Sequence, residues 1–399
     1  MTDKKYFLYL GCSGFPYGLA EVKKMTLVSK SLVLAGHSVT IISEKGVHDR
    51  ARYVDLKASG NHDGIDYIYT SGSPFREKGF IKRNLLKVRG LINEIKLLRR
   101  RKKRKELDYA IISTHSFGAI VYYYILSKIF RFKTILNHVE YYSGVKMDWN
   151  NKSKWINDNL FDRYAPVMLD MSFPISEFLI SHLKKTTPGK KYLKIPILAE
   201  FEKYNGTEVL QEEKYFLFSG AADYTEVIEF IIDSFILLDH PSVQLYLAIK
   251  GGEHHLIKVR EYINQSAGKD KIKIFSQLNE KQLYNYYRNA IALLIPLRPT
   301  VQDEARFPHK IGEYLASGNP VISTNYGEVK FYFKDQETML IAPAYDIDLF
   351  SAKMKYILDN PAEAIKIGDN GRNVALRYFD HKIYGEKIIA FLTEGASLN

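Results

Sequence analysis

The chain is poor in cysteine. Cys12 stands alone among 399 residues, which excludes an internal disulfide and any zinc site built on cysteines. No window approaches about 18 consecutive apolar residues, so no membrane-spanning helix is expected. The opening segment MTDKKYFLYLGCSGFP has two lysines and a short apolar run ending in a glycine-rich turn. It lacks the longer apolar stretch and small-residue cleavage site of a signal peptide, so a first strand is expected there and the cytosol is the expected compartment. There is no GxxxxGKS/T loop and no HExxH pair, and NTPase and zinc-hydrolase chemistry lose their support with them. No repeat of solenoid length is present, and the one biased tract is a basic run.

Hydrophobic residues make up 46% of the chain and charged residues 26%, an ordinary globular balance. A chain of 399 residues exceeds what one hydrophobic core supports, so two domains are expected. The formal charge of +12 favours an acidic partner or working surface, because such a field concentrates anions. Seven consecutive basic residues, Arg99 to Lys105, close a segment in which Ile81, Leu85, Val88, Ile92 and Ile95 recur at spacings of three and four. That spacing predicts one apolar face of an amphipathic helix with a cationic end. Such a cluster is attracted to anionic lipid by about 1 kcal/mol per basic residue, and it is equally a solvated helix end favoured by the dipole. Nucleic acid is not an expected partner, since no aromatic interleaving or recognition motif accompanies the run.

Short β-branched or aromatic runs alternate with helical patterns, the mark of βαβ units and parallel sheets. The first series runs through strands at Tyr6–Leu10, the turn from Gly36, Ala110–Thr114, Thr134–His138 and Leu169–Pro174, with helices at Leu19–Ala35, Phe117–Ile129 and Ser176–Lys184. The stretch from Pro188 to Gly206, rich in Lys, Pro and Gly, breaks the rhythm and is the expected linker. A second series places strands at Tyr215–Ser219, Gln244–Ile249, Lys271–Phe275, Ile291–Ile295, Pro320–Thr324 and Met339–Ala342. Helices follow at Ile347–Leu358 and Pro361–Phe379, and a last one at Lys382–Thr393 has no strand to serve. The fold class is therefore α/β with two Rossmann-like doubly wound parallel sheets.

The stretch FPHKIGEYLASGNPVIST, Phe307 to Thr324, runs from a loop through a short helix to a turn and a buried strand. With Pro308 at the helix start, His309, Lys310 and Gly312 fall in the first turn, where backbone amides and the positive dipole end suit an anion such as a diphosphate. Lys310 adds a cation, and Glu313, three residues on, is placed to accept two ribose hydroxyls. Read singly, Glu313 is equally a first-turn carboxylate helped by the dipole, and Lys310 a surface charge. The DID sequence at Asp346 to Asp348 imitates a metal-binding pair, but it stands at a helix start, where Asp is a common cap. No metal site is expected. The many tyrosines and phenylalanines are expected mostly in strands and cores.

This stretch resembles the retaining glycosyltransferases of family 4, glycosyl transferases group 1, which have the GT-B fold. The resemblance covers nearly the whole chain. GCSGFPYGLAEVKKMTLVSKSLVLAGHSVTIIS is similar to the family's first loop, helix and second strand, and FPISEFLISHL to the segment before its interdomain linker. LYLAIKGGEHH and KIKIFSQLNEKQLYNYYRNAIALLIPLR resemble its middle strands and connecting helices, and KIGEYLASGNPVIST is the most specific match. The resemblance implies two domains facing a cleft: residues 1–198 for the acceptor, with 380–399 packing back on them, and residues 207–379 for the nucleotide sugar.

It implies transfer of a sugar from a nucleotide-diphosphate donor to a hydroxyl of a glycan or lipid-linked acceptor, with retention and without metal or other cofactor, as in bacterial-type surface polysaccharide assembly. Glu313 takes the place of the second family glutamate, at the donor ribose, and Lys310 that of a lysine found in members with this PxK variant. Gly18, with Gly14 beside it, corresponds to a loop glycine that lets the backbone approach the diphosphate; an ordinary turn glycine is the alternative. His115 falls where members place a histidine facing the transferred sugar, and is otherwise a helix-start histidine. Gln277 and Leu278 are expected near the base.

Two features depart from the family pattern. The first family glutamate is replaced by Ala305, with Asp303 and Glu304 displaced toward the N-terminus, and the Arg and Lys that follow the first strand of the second domain are missing from SGAADYTEVIEF. Arg306, Arg298 and Lys310 are the substitutes available to balance a leaving diphosphate. These departures motivate an alternative, a non-catalytic GT-B scaffold that binds nucleotide or glycan without transfer.

Overall fold

The computed structural model describes residues 3–18, 20–144, 151–204 and 213–393. The chain divides into two compact units, residues 1–196 with 381–399, and residues 197–380. In the first, the order is β1 (Tyr6–Leu10), α1 (Ala20–Leu34), β2 (Ser38–Ser43), β3 (Ser59–His62), β4 (Ile65–Tyr69), α2 (Phe80–Lys103), β5 (Tyr109–Ile112), α3 (Phe117–Phe130), β6 (Lys133–His138), α4 (Lys152–Met168), β7 (Met171–Pro174), α5 (Glu177–Thr186) and β8 (Lys191–Tyr192). Leu19, the expected first residue of α1, and Gly206, the expected end of the linker, lie outside the described residues.

The second unit holds β9 (Lys214–Ala221), α6 (Thr225–Leu238), β10 (Val243–Lys250), α7 (Glu253–Gln265), β11 (Ile272–Phe275), α8 (Glu280–Asn289), β12 (Ala292–Ile295), α9 (Val301–Ala305), α10 (His309–Ser317), β13 (Val321–Thr324), α11 (Val329–Tyr332), β14 (Leu340–Ala342), α12 (Ile347–Asp359) and α13 (Pro361–Phe379). The last helix, α14 (Tyr384–Thr393), returns to the first unit and packs on α1. Gly385 makes this approach, because a Cβ there would stand 2.1 Å from the Ser31 carbonyl oxygen.

Among the described residues the first sheet has eight strands in the order β3-β4-β2-β1-β5-β6-β7-β8, and the second six in the order β11-β10-β9-β12-β13-β14. Pairing is parallel throughout except between β3 and β4. The central strands are covered by helices on both faces and read as continuous apolar runs, YFLYL in β1 and ALLI in β12. Separate cores follow: Leu8, Ile112, Tyr123 and Phe161 in the first unit, and Phe216, Ile231, Leu247 and Phe350 in the second.

The division falls at Ile197, ahead of the expected start at 207. The reason is packing: the Ala199 amide donates to the Phe379 carbonyl at 2.8 Å, and Gly312 of α10 lies against Ile197 and Ala199. Gly312 is thus buried. Asp346 caps α12, its carboxylate accepting the Leu349 amide at 3.0 Å.

Candidate active site

In an open parallel sheet, ligands bind outside the carboxyl ends of the strands where the strand order reverses. In the second unit this point lies between β9 and β12, and α10 begins beside it. Pro308, with φ of −64°, is the cap residue and supplies no side-chain acceptor; anions bind at such helix starts through amides and dipole. Tyr314 ties α10 to β9, its hydroxyl accepting the Ser219 amide at 2.7 Å.

Lys310 and Glu313 pair on α10 at 2.9 Å, with side chains 28% and 12% exposed, so neither is sealed in the interior. Tyr287 of α8 joins them: Lys310 Nζ donates to its hydroxyl at 2.6 Å, and that hydroxyl donates to Glu313 Oε2 at 3.4 Å. Burial first, and then the Glu313 charge, hold the Tyr287 phenol well above its ordinary pKa, so it stays a donor at neutral pH.

A second cluster sits at the same sheet edge. Asp303, 1% exposed, accepts the Arg298 amide at 2.8 Å and Arg298 Nε at 3.1 Å, and pairs with Arg306 through its other oxygen. Arg306 also donates to the Tyr224 hydroxyl at 3.0 Å, while Glu304 pairs with Lys330 at 3.0 Å. Ala305 is wholly buried. Of the two acids that precede the expected first glutamate, Asp303 is therefore clasped by two arginines and Glu304 is held by Lys330. On the neighbouring loop, Gln277 is exposed and Leu278 half-buried, and the Leu278 carbonyl accepts Lys250 Nζ from the end of β10 at 2.7 Å.

In the first unit, His115 follows β5 and is exposed. Its carbonyl accepts Asn157 Nδ2 at 2.8 Å, and it lines a recess of about 550 Å³ with Tyr142, Lys154, Asn157 and Asp158. Gly14 has φ of +90°, and at Gly18 a Cβ would stand 2.3 Å from Val22 Cγ2, so the loop after β1 demands both glycines. Behind this edge, Lys24 is buried with Nζ donating to the Ile195 carbonyl at 3.2 Å. Burial lowers its pKa to about 7. His138 is also buried, and burial, then His182 and Lys24, lower it to about 3.

The structure brings Lys310 and Glu313 together and sets Arg306 at the same edge; Gly14, Gly18 and His115 belong to the first unit. Tyr287, Tyr224 and Asn157 escaped sequence reasoning, since each meets its partners from a distant segment and no motif marks it.

Two Rossmann-like parallel sheets, the second with a cation and carboxylate paired at its switch point, define an α/β protein of the GT-B fold. Residues 201–374, within the second unit, match the family model for glycosyl transferases group 1. Similar solved structures include a sucrose-phosphate synthase from Thermosynechococcus elongatus, 16% identical with a TM-score of 0.71, covering 98% of both chains. A glycosyltransferase from Rickettsia africae is 16% identical with a TM-score of 0.70, over 98% of this chain and 100% of that one. HepE from Anabaena, solved with UDP and glucose, is 13% identical with a TM-score of 0.69, over 98% and 99%. No curated protein sequence matches the chain.

Proposed function

We propose that the protein is a retaining, metal-independent glycosyltransferase that moves a sugar from a nucleotide-diphosphate donor to a hydroxyl of a glycan or lipid-linked acceptor, in bacterial-type surface polysaccharide assembly. The observation that carries this reading is the Lys310–Glu313 pair at the start of α10, within the region that matches the family model for glycosyl transferases group 1. Glu313 accepts ribose hydroxyls, and Lys310 with the helix start faces the diphosphate. Arg306 and Arg298 gather two guanidinium groups at this edge, shared between Asp303 and, for Arg298, Glu226 at 3.4 Å, and in this reading they meet the developing negative charge. The Gln277–Leu278 loop lies toward the base, Gly14 and Gly18 toward the diphosphate, and His115 toward the sugar. In this reading the acceptor hydroxyl attacks on the departing face and the leaving diphosphate takes its proton. Asp346 is accounted for as a helix cap, so the DID sequence calls for no metal in this reading. The HepE structure holds UDP and glucose, which makes a UDP-sugar the first donor to try. The same reading sets the basic run Arg99–Lys105 against an anionic membrane.

The clasped Asp303 and the absence of cations after β9 favour a second reading, a GT-B scaffold that binds without transfer. A thermal-shift panel of UDP, GDP, ADP and their sugars identifies the nucleotide, since ligand at about 100 times its dissociation constant adds about 2.7 kcal/mol of stability. Slow hydrolysis of the matching donor by the purified chain is expected. Nucleotide binding with no released sugar sinks the enzymatic reading and leaves the scaffold.

A further inference from the structure

Helix α2 is apolar on two opposite sides. Gly90, Leu97 and Leu98 face inward and are buried, and Gly90 lies so near the loop after β2 that a Cβ would stand 2.0 Å from the Glu44 carbonyl oxygen. On the other side Ile81, Leu85, Val88, Ile92 and Ile95 are 75%, 64%, 54%, 49% and 38% exposed, with Phe80 at their head. Their spacing makes one unbroken stripe, roughly 20 Å long at a rise of about 1.5 Å per residue. Single exposed apolar residues are ordinary, whereas a continuous row marks a contact surface.

The charge on α2 itself is nearly all of one sign, with Glu77 and Glu106 just beyond its ends pairing with Lys82 and Arg101 at 2.9 Å each. Helix α2 carries ten basic residues and one acidic residue, Glu94, which is buried on the inward side. The line of the stripe continues through Arg99 into Lys103. Lys102, on the same last turn, lines a recess of about 400 Å³ with Lys5, Lys128, Arg131 and Lys133. The two carboxylates there are engaged by the fold: Asp108 accepts the Tyr6 amide, and Asp170 the Thr134 amide and hydroxyl.

We propose that this face of the first unit docks on an anionic lipid bilayer, with the outward stripe of α2 among the acyl chains and its cationic end and the adjoining recess against headgroup phosphates. A second copy of the chain fits poorly, because stripe against stripe sets ten cations of each helix against like charges. This deepens the membrane contact proposed above and is independent of the transfer chemistry.

Co-sedimentation of the full chain with phosphatidylcholine vesicles, with and without phosphatidylglycerol, tests the surface. The wild type is expected to bind the mixed vesicles at least about tenfold more tightly, and to lose the difference in high salt. The fourfold variant Ile81→Ser, Leu85→Ser, Val88→Ser, Ile92→Ser changes only exposed positions. It is expected to lose at least about tenfold in binding to the mixed vesicles, with its melting temperature and its hydrolysis of a soluble nucleotide sugar unchanged. Arg131→Glu with Lys133→Glu is expected to weaken binding several-fold. The proposal fails if the stripe variant sediments like the wild type, if the wild type binds both vesicles alike, or if the stripe instead holds a dimer in vesicle-free sedimentation velocity. Vesicle binding that follows the pattern in a chain without hydrolysis would sink the enzymatic reading and leave the docking surface standing.

Discussion

The carboxyl edges of the two sheets differ in how much of their charge they keep. In the second unit charges are kept by pairing: Lys310 with Glu313, and Arg298 and Arg306 with Asp303. In the first, Lys154 and Asp158 pair at 2.7 Å beside His115, but the groups behind the edge are suppressed by burial: Lys24 falls to about 7 and His138 to about 3, and burial raises the Glu21 carboxyl, against its hydrogen bond from Ser113 and the pull of His115. An edge that receives a diphosphate needs charge that survives burial, which demands a partner. An edge that receives hydroxyls needs donors and acceptors, and neutral groups serve. The contrast fits a charged donor on the second unit and a hydroxylated acceptor on the first.

The largest expected effect strikes the suppressed side. Unfolded, Lys24 holds its proton to about pH 10.4; folded, it releases it near 7. Between these values the unfolded chain binds one more proton, so stability rises with pH by about 1.4 kcal/mol per unit, and the gain disappears as pH falls toward 7. Lys24→Met removes that slope. Urea unfolding between about pH 7.5 and 9.5 should show the wild type gaining roughly 3 kcal/mol relative to the variant; parallel curves would mean that Lys24 keeps its charge when folded.

The paired side is tested by function. Glu313→Ala and Lys310→Ala should each cut transfer at least about tenfold with the fold intact, and wild-type turnover in either would remove them from the site. Tyr287→Phe keeps the ring and deletes the hydroxyl that joins Lys310 to Glu313. Losing such a hydrogen bond costs about 1 kcal/mol, so a several-fold rise in the donor dissociation constant is expected, readable by titration calorimetry. The smallest effect belongs to Asp346→Ala, which should cost about 1 kcal/mol of stability through the lost cap while leaving turnover, and its indifference to EDTA, unchanged. A chelator that stops turnover contradicts the metal-free reading.

Much of the architecture was legible because it is written in local periodicity. Tyr6–Leu10 and Pro361–Phe379 have the bounds the sequence pattern predicts, since an apolar run and a Pro-initiated amphipathic helix need no distant information. The β3–β4 hairpin was missed although Asp63 and Gly64, with φ of 53° and 80°, make the two-residue Asp-Gly turn that signals it. Its β3 strand, SGNH, is exposed and polar, so no apolar alternation drew notice. In the site, Lys310 and Glu313 were legible because three residues along one helix set them side by side. Tyr287 was not, being 23 residues from Lys310 in the chain.

The sequence alone determined the alternation of strands and helices, the two-sheet class and the placing of a lysine and a glutamate on one short helix, because each depends on the order of neighbouring residues. Tertiary structure decided the rest. Only packing turns Leu97 and Leu98 inward and Ile81 to Ile95 outward on the same helix, closes two arginines over Asp303 and strips Lys24 of water. Desolvation and the meeting of distant segments are properties of the folded volume, and no spacing along the chain encodes them.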